Sequence, residues 1–498
     1  HDSVQSIDAV ELNPALVELV GERYAAYSGN LYGQANVAIH IGNARAFIAS
    51  RAAQYDLIQF GLPDSMTGSG GLHALGENYL YTVESIRTLL RRLAPNGYLA
   101  ITLWTRIPPR DTLKMFATAI QALKDLGVSS PNRQLILIRS WQTSTLIVKN
   151  GMIDEHEINQ SLAFCEELSF DPVFFPGIQA TETNRRNRVL EDYFFLGSQA
   201  LLGAHSDDFQ RDYKFNIRPA TDDRPYFFDF FKWRSVPEII ESLYSGGMSL
   251  LEGGYLILIA SLFQAMLASL ILIVAPLLWL RKRSAAIPFQ SVRGPVFGYF
   301  FSLGMAFMFL EIALIQKFIL FLYHPLYSAT TILTAILLFA GIGSLWSQRF
   351  DTRKKRCKAV FYSCIAIIGL SVLFIYLLNP LFAGLIALPQ FAKFAIAVLL
   401  VAPLGFCMGI PFPLGLSVLD GEAPWTLAWA WGINGSASVI SAILASLLAI
   451  QFGFSVLMFF AGLLYAIVAL RFSRLIPVHG SPALAAPDHE ARRSEKLS

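Results

Sequence analysis

The chain has 498 residues, of which 54% are hydrophobic and only 15% charged, a balance that excludes one ordinary soluble domain and points to membrane spans. Its formal net charge of +3 is small, and the Lys and Arg residues of the second half gather in loops and in the tail, so nucleic-acid binding is not indicated.

Charges recur every few residues up to about Met248, and the apolar runs there are strand-sized. From Tyr255 onward, runs of about 20 apolar residues dominate, the length that a bilayer core demands. The expected division is an α/β domain over 1–235, an interfacial linker over 236–254, a helical membrane domain over 255–472 and a polar tail over 473–498, expected to be disordered. Cys165, Cys357, Cys364 and Cys407 form neither a CxxC pair nor an even framework, so neither a metal site nor a disulfide scaffold is implied.

In chain order, the first half reads as strand VQSIDAVEL, a helix opened by Asn13 as cap and Pro14 at its first position, strand VAIHIGN, a helix through Phe47 and strand YDLIQFGL. A helix over 78–93, strand GYLAITLW, a helix over 110–126 and strands RQLILIRSW and STLIVKN follow. Such alternation predicts a mainly parallel, Rossmann-like sheet covered on both faces. The last two strands have no helix between them and are expected to pair as an antiparallel hairpin at the edge.

In a doubly wound sheet a ligand lies beyond the carboxyl ends of the strands, where a carboxylate ending the second strand accepts both ribose hydroxyls of a nucleoside. Glu11 occupies such an end; the plain alternative is a solvated acid. The stretch SMTGSGGLHALGENY lacks the Lys-Ser/Thr pair of a phosphate loop. Gly68 to Gly71 are read as a lid over a pocket, with a flexible surface loop as the alternative, and His73 as a base candidate within it.

Taken together, VELNP, IGNARAF, YDLIQFGLPDS and ENYLYTVESIRTLLRRLAPNGYLAITLW resemble the spermidine synthase family, aminopropyltransferases with a methyltransferase-like fold. The resemblance covers about residues 1 to 235. It extends to a membrane-fused bacterial branch through TDDRPYFF, FLEIALIQKF and WGINGSASV. It implies aminopropyl transfer from decarboxylated S-adenosylmethionine to a diamine, with S-adenosylmethionine as a related cofactor, in a bacterial inner membrane. By the same resemblance Glu11 binds the ribose, Asn43 meets the adenine where the family usually has Asp, and the glycine-rich turn and first strand of the fold are expected before His1.

The chemistry needs a carboxylate, because an alkylammonium is no nucleophile until it loses a proton. Catalytic members follow the YDxI strand with Asp-x-x-Asp. In this chain the first of those positions is Gly61 and only Asp64 matches the second; Ser85 and Ile86 stand where the family has an aromatic pair. Either Glu77, Glu84, Asp222 or Asp223 substitutes for the missing base, or the domain keeps the fold without this chemistry. In ATDDRPYFFDFF, Asp222 and Asp223 are expected to cap a turn and pair with Arg224 while the aromatics dock on the membrane surface; the alternative points both acids into an amine site.

Seven spans are read near 255–280, 297–322, 327–347, 358–378, 391–417, 428–450 and 454–471. The basic residues Arg281 to Arg283, Arg353 to Lys358, Arg471 and Arg474 then fall on one side, which should be cytoplasmic and would put the α/β domain on the outer face. Glu311, mid-span, costs on the order of 3 kcal/mol to insert and is a functional candidate, with Asn434 as expected partner and Lys317 expected to snorkel. Ala437, Ser441 and Ala445 make a face for close helix packing, and the stretch from Gly409 to Pro413 should break its helix.

Two functional classes stand open. One is a membrane-bound enzyme of the spermidine synthase type, acting on a small amine. The other is a degenerate ligand- or partner-binding subunit of a larger membrane complex, or a transporter-like protein.

Overall fold

The computed structural model describes residues 4–62, 75–237, 254–276, 293–419 and 424–475. Strands β1 (Ile7–Glu11) and β2 (Val37–Ile41) form a parallel pair in register from Ile7↔Val37 to Glu11↔Ile41. A second sheet contains β3 (Tyr55–Phe60), β4 (Leu93–Trp104), β5 (Leu135–Arg139), β6 (Thr143–Lys149) and β7 (Asp171–Phe174), in the order β3-β4-β6-β5-β7. Asp8 on β1 links the two sheets: it pairs with His40 of β2 at 2.8 Å and accepts from the Tyr55 hydroxyl of β3 at 3.0 Å.

The α/β class and the β5–β6 hairpin are as expected, but the sheet is less parallel than the alternation suggests. Only β3–β4 runs parallel in the five-stranded sheet; the other pairings are antiparallel. The hairpin is also interior, because β7 pairs with β5 outside it. Its burial fits that place: all five residues of β5 are buried, the pattern of a strand covered on both faces. The helix expected over 78–93 is shorter. Thr82 caps it by accepting from Ser85 N, α3 covers Val83–Leu90, and β4 begins at Leu93.

Around the sheets lie α1 (Pro14–Glu18), α2 (Ala44–Ser50), α3, α4 (Asp111–Asp125), α5 (Glu155–Glu167), α6 (Tyr193–Leu202) and α7 (Ser206–Asp212). Asn13 caps α1 as expected, its side chain accepting from Ala15 N with Pro14 next in line. Helix α4 is enclosed almost all round, and the segment after α7 returns across it: Lys114 donates to the carbonyls of Tyr226 and Asp229.

The second half is helical: α8 (Gly254–Ser269), α9 (Arg293–Leu322), α10 (Pro325–Ser347), α11 (Arg353–Gly384), α12 (Gln390–Met408), α13 (Pro411–Leu419), α14 (Pro424–Phe452) and α15 (Phe454–Leu475). Among the described residues these supply seven stretches long and apolar enough to cross a membrane, with α12 and α13 counted as one broken span. The protein is therefore a multi-pass membrane protein in contact with lipid. The break falls where Gly409 and Pro411 stand, and it packs inward, with Pro411 O accepting from Tyr299. Small residues set the packing of the central helix α9: Ala437, Ser441 and Ala445 of α14 are buried, and a Cβ on Gly304 would lie 2.6 Å from Asn434 O.

Among the described residues the α/β domain meets the bundle at one end. There Tyr79 donates to Gln316 O near the end of α9, and Phe454 N, opening α15, donates to Asp223 O. At the opposite end Arg356 donates to Ser417 O and Arg471 to Gly294 O. With α9 about 45 Å long, the basic ends of α11 and α15 lie a full membrane thickness from the domain.

Candidate functional site

The parallel register brings Glu11 and Asn43 to one rim, since Glu11 lies opposite Ile41 and Asn43 follows two residues later. Both side chains also shape the turns they end. Glu11 Oε1 accepts from Asn13 N at 2.8 Å, and Asn43 Oδ1 caps α2 by accepting from Ala46 N at 3.1 Å. Glu11 is half-buried, and its Oε2 has no hydrogen bond among the described residues, so one carboxylate oxygen is open to a hydroxyl donor.

Gly61 follows the end of β3. A Cβ built there meets nothing within 4 Å among the described residues. Asp64, His73 and the glycines at 68–71 lie outside the described residues. Ser85 and Ile86 are fully buried in the face of α3 that packs on the core, so neither presents a surface to a ligand.

The remaining acids have partners that the sequence did not suggest. Asp222 receives a two-pronged bond from Arg45, at 2.6 and 2.7 Å, and the Thr82 hydroxyl at 2.7 Å, while its own N–H donates to Glu84. Burial alone would lower the Arg45 pKa, but the Asp222 carboxylate, helped by Glu84 and Tyr323, makes the net shift upward. Asp223 Oδ1 accepts from Lys317 at 2.9 Å, from the Ser455 hydroxyl at 2.6 Å and from Ser455 N at 3.0 Å, capping α15 from outside the helix. The turn itself forms, closed between Thr221 and Arg224, but neither acid pairs with Arg224, which instead donates to Gln451 O. Nor does Lys317 snorkel: it is buried and holds Asp223. Of the aromatics after this turn, Tyr226 and Phe231 pack into the membrane core and Phe227, Phe228 and Phe230 into the domain core.

Glu77 differs. Burial raises its pKa, its side-chain partner is the Tyr226 hydroxyl at 3.3 Å, and no cation pairs with it among the described residues. Glu84 is also raised, by burial first and then by the nearby Asp222 charge, with Arg45 acting against both. Within the bundle, Glu311 is 9% exposed and has no hydrogen bond or ion pair among the described residues. Asn434 is not its partner. That amide donates to Phe300 O, eleven residues and about 16 Å earlier along α9.

Sequence reasoning missed Arg45, Thr82 and Lys114. Arg45 carried a signal, being an arginine in the first turn of a helix that needed an acid, but its partner lies 177 positions away. Among the described residues, no group of three or more His, Cys, Asp or Glu side chains is placed to hold a metal ion. Compared with known proteins, the chain matches no family model and no curated sequence.

Proposed function

We propose that this protein is a membrane-embedded relative of the spermidine synthases that binds an adenosine-type ligand at the Glu11–Asn43 rim and has lost aminopropyl transfer. One observation carries the loss: the base position is Gly61, while Asp222 and Asp223, the acids best placed in sequence to replace it, are held by Arg45 and Lys317. A diamine carries two positive charges and needs acids free to replace its water; here those acids already have cations. What remains is a nucleoside rim fixed to a membrane bundle, the arrangement of a ligand-sensing subunit.

Among the described residues the bundle's own helices carry few unpaired cations at the domain end, while Arg353 to Lys358, Arg471 and Arg474 stand at the far end. By the positive-inside rule, in which the arginines of a long domain do not count, we read the domain as lying on the outer face of a bacterial inner membrane. An activated sulfonium is not supplied there. That position fits the loss of transfer and favours an uncharged nucleoside such as methylthioadenosine over decarboxylated S-adenosylmethionine.

The test is a turnover assay on the full-length protein in lipid, with decarboxylated S-adenosylmethionine and putrescine. No product is expected above background. Spermidine formation would overturn the reading. Glu77 favours a second one, since a buried carboxylate with a raised pKa and no cation is suited to accept a proton from an amine. Under it, product forms in the wild type and is lost in Glu77→Gln.

A further inference from the structure

On the far side of the Arg45–Asp222 pair opens a cavity of about 750 Å³ between the α/β domain and the bundle, within the size range of small-molecule pockets. Its domain wall is basic: Arg87, Arg91 and Arg92, from the end of α3, stand beside Arg45. Its other wall comes from the last turns of membrane helices, Leu320 on α9, Tyr323 just after it, and Phe382 and Ala383 on α11. Helix ends of this kind mark the boundary between hydrocarbon and water.

The charges do not cancel. Asp222 is matched by Arg45 and Arg87 by Asp125 at 3.9 Å, which leaves Arg91 and Arg92 without an ion-pair partner among the described residues, with the Glu84 carboxylate on the same wall. Arg92 gives one bond of 3.3 Å to Ala49 O, and Arg91 is exposed, its side chain making no hydrogen bond or ion pair among the described residues. The membrane side adds a second signal. The Tyr323 hydroxyl is buried with no hydrogen-bond partner among the described residues, a donor left for an acceptor oxygen.

A soluble anion would use the guanidinium wall and leave Leu320 and Ala383 against water; an amphiphile satisfies both walls. The geometry points to a binding site for an anionic phospholipid, its phosphate on Arg91 and Arg92 and its acyl chains along Leu320 and Ala383. Arginine is suited to the headgroup because its planar fork meets two phosphate oxygens at once.

The experiment is native mass spectrometry of the full-length protein in detergent, titrated separately with dioleoyl phosphatidylglycerol, dioleoyl phosphatidylcholine and glycerol phosphate. Retention of the phosphatidylglycerol alone is expected. The double change Arg91→Gln with Arg92→Gln should weaken that retention roughly thirtyfold, in line with the contribution of two basic residues at an anionic surface. Ala383→Trp, which fills the cavity from the membrane side and leaves the arginines in place, should weaken it as well. Equal retention of the two lipids, or unchanged retention in both variants, overturns the site. Equal binding of glycerol phosphate overturns the lipid assignment, because the apolar wall would then contribute nothing.

Discussion

Lys114 is enclosed on every side, with its ammonium donating to two carbonyls and lying 5.1 Å from the centre of the Phe230 ring. Burial lowers its pKa from 10.5 to about 7, against the upward pull of Asp229. Between about pH 7 and 10 the unfolded chain therefore holds a proton that the folded chain has released, and this residue makes stability rise with pH across that window. Thermal unfolding at pH 7 and 9 should show a larger gain for the wild type than for Lys114→Met. An equal gain in both would mean that Lys114 stays charged in the fold. Lys232, lowered to about 8 mainly by burial, contributes in the same direction to both proteins and drops out of the difference. At this scale the sequence was legible where a residue acts on its neighbours: Asn13 reads directly as a helix start, whereas the same role at Asn43 emerged only from the structure. It was opaque at Asp222 and Asp223, whose partners stand 177 and 94 positions away and carry no local signature.

Among the elements, the joint between α14 and α15 is constrained both by backbone conformation and by space. Gly453 has φ of +90°, which non-glycine residues rarely adopt, and a Cβ there would lie 2.5 Å from the Asp223 carboxylate. Gly453→Ala is expected to destabilise the junction by about 1–3 kcal/mol, the range for one strained backbone position, while Gly369→Ala, whose Cβ meets nothing within 4 Å, stays near neutral. Differential scanning fluorimetry of the two variants checks this; equal melting would show that the joint is slack. The spans were legible because length and hydropathy alone define them. Strand order was not. Alternating patterns predict parallel crossovers, and nothing local in the short run that forms β7, with Pro172 inside it, announces that it pairs with β5 and makes the hairpin interior.

For the whole molecule, the clamp built by Asp223, Lys317 and Ser455 ties domain to membrane. Removing the half-buried Asp223 leaves the charge of the buried Lys317 uncompensated, so Asp223→Ala should release the domain as a body while each half stays folded. Hydrogen exchange should then rise at residues 220–230 and at the start of α15, with the protection of β4 and β5 unchanged. Loss of protection throughout would mean that the two halves fold as one unit. The Glu11 rim was legible because a strand end next to a helix start has a sequence signature; the cavity at the junction was not, because its two walls are brought together only by docking. The most direct test of the account is calorimetry on the full-length protein with methylthioadenosine, S-adenosylmethionine and decarboxylated S-adenosylmethionine. Binding of methylthioadenosine is expected, weakened roughly tenfold in Glu11→Gln by loss of a charge-assisted bond to the ribose; absence of heat with all three nucleosides would contradict it.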